Sequence, residues 1–152
     1  ISLRAIKPML LMPRMKSHAN GVPSVSLPLS SAVWLYVPGS ELRPGAGLPP
    51  GLSAFLSALE GASGAMLSVQ QRSADFAVVL EAPAASAQQA AVIAGRLTEN
   101  TAMIGKLLAR ENREPEMGDL TGVLASGRFR VERNVVRGEW PVAAAFAERL
   151  GK

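Results

Sequence analysis

No cysteine occurs in the 152 residues, and there is a single histidine. The first absence removes disulfides, thiolate metal sites, iron–sulfur clusters and a cysteine nucleophile. The second removes any metal cage of imidazoles and leaves Ser–His–Asp chemistry dependent on His18 alone. No glycine run ends in Gly-Lys-Ser/Thr, and no G-x-S-x-G elbow is present. No run approaches the ~18–20 apolar residues of a membrane span. Aromatic residues make up 5% of the chain. Acidic residues are missing from the whole N-terminal quarter, the first being Glu41.

Core-forming residues are plentiful. Apolar residues make up 48% and charged ones 18%, a balance that argues against global disorder. The length suits one domain, and a chain of about 150 residues buries roughly 68–70% of its unfolded surface. The net charge of +4 has a position: Arg4, Lys7, Arg14 and Lys16. Removing those four from 16 basic residues leaves 12, against 12 acidic ones. The sequence pI of about 10.1 therefore describes a basic arm on a neutral body, and by itself it is weak evidence for nucleic-acid binding. We divide the chain into a basic, Pro/Ser-rich arm or linker at 1–30 and a single domain at 31–152. The start at Ile1 and the unpatterned residues 1–20 suggest a domain of a longer protein. The Ala-, Gly-, Leu- and Arg-rich composition suggests a bacterial, GC-rich source. A cysteine-free chain suits the cytoplasm or export equally.

Hydropathy periods order the elements. Val25, Leu27 and Leu29 alternate with small residues and prolines, as in an extended edge segment. Val33–Val37 reads as a strand, and 38–51 as a Pro/Gly-rich loop. Leu52, Phe55, Leu56 and Leu59 share one face of a helix, closed by a left-handed Gly61. Ala65, Leu67 and Val69 mark a strand with one wet face. A turn at Arg72–Asp75 leads to Phe76–Glu81, apolar on both faces and so expected at the centre of a sheet. Ser86 and Gln89 form a capping box for a long helix from Ala87 to Arg110. Leu120, Val123 and Leu124 mark a short helix. Arg128–Arg133 alternates cleanly, and a turn near Asn134 leads into a strand through Val136 and Trp140. Pro141 is expected to open a last helix with Ala143, Phe146, Ala147 and Leu150 on one face. The order predicts an α+β fold: a ferredoxin-like (split βαβ) antiparallel sheet with helices packed on one face, plus an extra C-terminal β-hairpin and helix.

Several constellations invite a chemical reading. Gly45, Gly47 and Gly51 fall one residue off the dinucleotide fingerprint, and Pro49 and Pro50 remove amides that would face a pyrophosphate; the loop reads as flexible, and no cofactor is expected. Glu111, Glu114, Glu116 and Asp119, interleaved with Arg110 and Arg113, read as a solvated ion-pair network. The stretch Leu35-Tyr36-Val37 is similar to the first strand of RNA-recognition motifs, which share the βαββαβ order. That resemblance implies bases stacked on strand aromatics. The third strand of that family carries two further aromatics after a basic residue and glycine, whereas Phe76–Leu80 has one. Arg128 and Arg130 are candidate phosphate contacts.

The long helix carries two stripes. The large one (Ala90, Ile93, Leu97, Thr101, Ile104, Leu108) is ordinary core. The small one includes Ala91, Gly95, Thr98, Ala102 and Gly105. It either lies close on the sheet or forms an interface with a partner helix, in a homodimer or with another protein. Each glycine costs about 0.8–1 kcal/mol relative to alanine in a helix, a cost that close backbone approach would offset. No catalytic or metal-ligating residue is assigned. We expect a non-catalytic structural or protein-interaction module. The alternatives are nucleic-acid binding through the arm and the sheet arginines, and small-molecule binding between the sheet and the 38–51 loop. An enzyme is the least supported class.

Overall fold

The computed structural model describes residues 33–116 and 118–150. The basic arm with His18, the extended segment before Val33 and the terminal Gly151 lie outside the described residues. Strand β1 (Val33–Pro38) runs into a single 3-10 turn at Gly39–Glu41. Helix α1 (Pro50–Ala58), strands β2 (Gly64–Arg72) and β3 (Asp75–Pro83), and helices α2 (Ala87–Arg110) and α3 (Leu120–Ala125) follow. Strands β4 (Arg128–Glu132) and β5 (Val135–Val142) and helix α4 (Ala144–Leu150) complete the order.

The five strands form one antiparallel sheet in the order β1-β2-β3-β5-β4. The expected α+β class and helix-covered antiparallel sheet are observed. The split βαβ arrangement is not. A split unit places another strand between the two strands that flank its helix, whereas here β1 and β2 are direct antiparallel partners across α1 (Leu35 opposite Leu67). Nor is the C-terminal hairpin an addition: β5 pairs with β3 over its whole length, from Phe76 opposite Val142 to Pro83 opposite Val135. Element order was readable from hydropathy, but partner choice depends on which edges meet when the helices pack.

As its two-sided apolar pattern predicts, β3 is the middle strand. Pleat alternation sends Leu67 (β2), Leu80 (β3) and Gly138 (β5), which share one register row, toward the helices. Burial along β5 alternates perfectly, with Val136, Gly138, Trp140 and Val142 inside. Gly138 has a specific role. A Cβ there would lie 2.9 Å from the ring of Phe129, its cross-strand partner. The bare backbone lets that ring lie flat over β5 and meet Trp140 edge-on at 5.3 Å between centroids, with Phe55 of α1 5.9 Å from Trp140. Such aromatic pairs add roughly 0.5–1.5 kcal/mol each beyond their buried area.

Helix α2 matches its expected bounds. Ser86 Oγ accepts from the Gln89 amide at 3.1 Å, and Gln89 Oε1 accepts from the amide of Ala85 at 3.2 Å, so the capping box closes one residue further back than its simplest form. Ile93 and Leu97 are fully buried beside Leu80 and Val136, each contributing roughly 1.5–3 kcal/mol of apolar burial. Asp119 caps α3 by accepting from the Gly122 amide at 2.7 Å. One expectation at the C-terminus is corrected. Pro141 does not open a helix; it lies in β5 opposite Ala77. Strand β4 reaches only to the level of Glu139, so beyond that point β5 has no strand partner on its β4 side among the described residues and tolerates a residue without an N–H. Helix α4 starts three residues later, where Asp75 Oδ1 accepts from the Ala144 amide at 3.2 Å.

Candidate functional site

Three regions hold the residues singled out from the sequence. The first is the outer side of α2. Ala91, Gly95, Thr98 and Ala102 are exposed and Gly105 is half-buried. The core side of the helix is occupied by Ala90, Ile93, Ala94, Leu97, Ile104 and Leu108. The small stripe therefore does not lie on the sheet. Among the described residues, a Cβ built on Gly95 or Gly105 meets no atom within 4 Å. The same helix also exposes Val92, Met103 and Leu107. At 100° per residue these three lie on the other side of a ridge holding Glu99 and Lys106.

The second region is the sheet face turned away from the helices, a shallow bowl of about 460 Å³. Arg128 and Arg130 stand side by side on β4, with Arg137 and Glu139 on β5, Glu81 on β3 and Arg72 on β2 around them. The arginines already face carboxylates. Arg130 Nε lies 2.9 Å from Glu132, Arg137 reaches both Glu81 and Glu132 at 3.1 Å, and Arg72 lies 3.9 Å from Glu139. Arg128 sits in register opposite Glu139. Four arginines against three glutamates on one surface leave little net field, and a phosphate there competes with resident carboxylates. The aromatic platform implied by the RNA-recognition resemblance is not assembled. Trp34 and Tyr36 share this face, but the outer edge of the Tyr36 ring lies over Gly64. Phe76 points to the helices, where it lines the third region.

The third region is one that sequence reasoning placed only loosely. Helix α1 leans on α2, where Asn100 Nδ2 donates to the Ala54 carbonyl at 2.9 Å, rather than on the strands. A cavity of about 420 Å³ remains between α1, α3 and α4 and the sheet. Leu67 and Val69 on β2 and Val78 on β3 form part of its floor; Leu56 of α1, Leu124 of α3 and Phe146 of α4 face them. All its wall residues are apolar, and Trp140 alone among them carries a polar side-chain atom. The helical layer also stops short of the β1 edge, leaving Val33 and Leu35 on that face 61% and 56% exposed.

The space is open to solvent on one side, so its apolar walls stay in contact with water, and a molecule that covered them would gain roughly 25 cal/mol per Å² of apolar surface removed from water. Water finds no hydrogen-bond partners on such walls. The site explains a departure from the sequence pattern. Leu52 and Leu56 were expected to be buried with Phe55 and Leu59, yet they are only half-buried because they border this space. Leu42, at the start of the 38–51 loop, supplies part of the wall. The indole N–H of Trp140 is buried without an acceptor among the described residues, packed against Gly127.

The acidic run behaves as a surface feature. Arg113 lies 3.4 Å from Glu111 and 3.2 Å from Asp119, and among the described residues no three His, Asp or Glu side chains converge on a point that would hold a metal ion. In the glycine-rich loop, Gly47 adopts a positive φ of 88° and Gly51 packs against Leu124, so these glycines serve the turn and the entry to α1. Among the described residues no helix is long and apolar enough to cross a membrane. Comparison with protein families, with curated proteins and with solved structures finds no match to this chain.

Proposed function

We propose that the chain is a non-catalytic interaction module, a domain of a longer bacterial protein, which pairs with a second copy of itself along the outer side of α2. The observation that supports this reading is the open space at Gly95 and Gly105. Two glycines in the interior of a helix cost about 0.8–1 kcal/mol each relative to alanine, and no group of the described chain uses the room they leave. Small residues at helical spacing allow two backbones to approach closely. The positions 91, 95, 98, 102 and 105 are disposed almost evenly about Thr98. Two copies crossing there on a two-fold axis set small residue against small residue, as an isologous interface requires.

Sedimentation equilibrium on the full chain tests the reading. A dimer mass is expected, and Gly95→Leu should return the protein to monomer while leaving its far-ultraviolet circular dichroism intact. A monomer at all concentrations, or a dimer indifferent to Gly95→Leu, would sink it.

A further inference from the structure

We propose that the cavity between the sheet and helices α1, α3 and α4 is a binding site for one small apolar molecule, an acyl or isoprenoid chain whose polar end stays at the mouth. Wall chemistry excludes an extended peptide, because its amides would enter without hydrogen-bond partners. A hydrocarbon chain brings no such groups, and the volume lies within the range of small-molecule sites. Among the described residues no charged side chain lines the cavity, so a carboxylate or phosphate has no partner there and remains in solvent. Leu120, which lines the space while 40% exposed, marks the rim.

The two tryptophans, Trp34 and Trp140, supply the assay. In a full-length Trp34→Phe variant, Trp140 on the cavity wall is the sole tryptophan. Titration with ω-bromododecanoate, whose bromine quenches on contact, should give saturable one-to-one quenching that dodecanoate reverses. Across octanoate, decanoate and dodecanoate, competition should strengthen about fourfold per methylene. Val69→Phe, which fills space for about two methylenes, should weaken binding roughly fifteenfold while raising Tm. That rise separates a filled site from an unfolded protein. Absence of quenching up to the solubility limit overturns the proposal, as does quenching that Val69→Phe leaves unchanged. So does a gain in affinity on Leu10→Asp/Leu11→Asp, which would assign the space to the chain's own arm.

Discussion

Two glycines on neighbouring elements should respond to alanine with opposite signs. At Gly138 a new Cβ falls 2.9 and 3.0 Å from two ring atoms of Phe129 and 3.3 Å from Leu80 Cβ. Moving the ring is not free, because it packs edge-on to Trp140 at 5.3 Å and tilted to Phe55 at 6.3 Å. Overpacking of this kind costs about 1–3 kcal/mol, whereas replacing glycine within a strand returns only about 0.5–1 kcal/mol. The overpacking term is larger, so Gly138→Ala should lose about 1.5 kcal/mol, a fall in Tm of about 3–6 °C. Measured on protein dilute enough to be monomeric, Gly95→Ala meets nothing within 4 Å among the described residues and keeps only the propensity gain of about 0.8–1 kcal/mol, a rise of about 2–4 °C. Thermal melts followed by near- and far-ultraviolet circular dichroism measure both. The near-ultraviolet signal should change in Gly138→Ala alone, because only there does an aromatic ring move. A Tm that rises in both variants would refute the seating of Phe129 on β5 and with it the aromatic contact to α1.

Other substitutions probe separate links. Leu97→Ala removes a side chain with no exposed surface; a loss of about 3–4 kcal/mol should appear as a large fall in urea midpoint, and a loss under 1 kcal/mol would mean the site collapses freely. Ser86→Ala deletes the acceptor of the Gln89 amide and should cost about 1 kcal/mol, with hydrogen exchange quickening first at the start of α2. Arg137→Gln breaks ion pairs to Glu81 and Glu132, but the Arg137 side chain as a whole is 41% exposed. The change should stay below about 1 kcal/mol and shrink further in high salt; a larger, salt-insensitive loss would count against a solvated network.

Much of the local structure was legible because it depends on neighbours in sequence. Period-two and period-3.6 patterns placed β1, β2, β3, α1 and α2. The Ser86–Gln89 spacing fixed the start of α2, and Gly61 ends the α1 segment with a positive φ of 93°. The hairpin turn between Arg72 and Asp75 was visible from its polar residues. Pro141 misled because proline suits a first helical turn; its place in β5 depends on where β4 ends, which no local rule contains.

The candidate sites divide the same way. Periodicity grouped Ala91, Gly95, Thr98, Ala102 and Gly105 on one side of a helix, but only the packing of Ile93, Leu97 and Ile104 on the sheet decided that this side faces solvent. Sequence alternation put Arg128 and Arg130 on one strand face. The sheet order then set Glu81, Glu132 and Glu139 among the arginines, turning a basic row into an ion-pair lattice.

The sequence alone determined the class of fold, the elements and the faces each could bury, because hydropathy period is a property of contiguous residues. Tertiary structure alone decided the rest. Strand pairing depends on which edges meet, so β1 joined β2 and β5 joined β3. The gap beneath α1 arises because that helix leans on α2. An apolar residue beside a cavity and one in a filled core look identical in sequence, since the difference lies in what stands opposite.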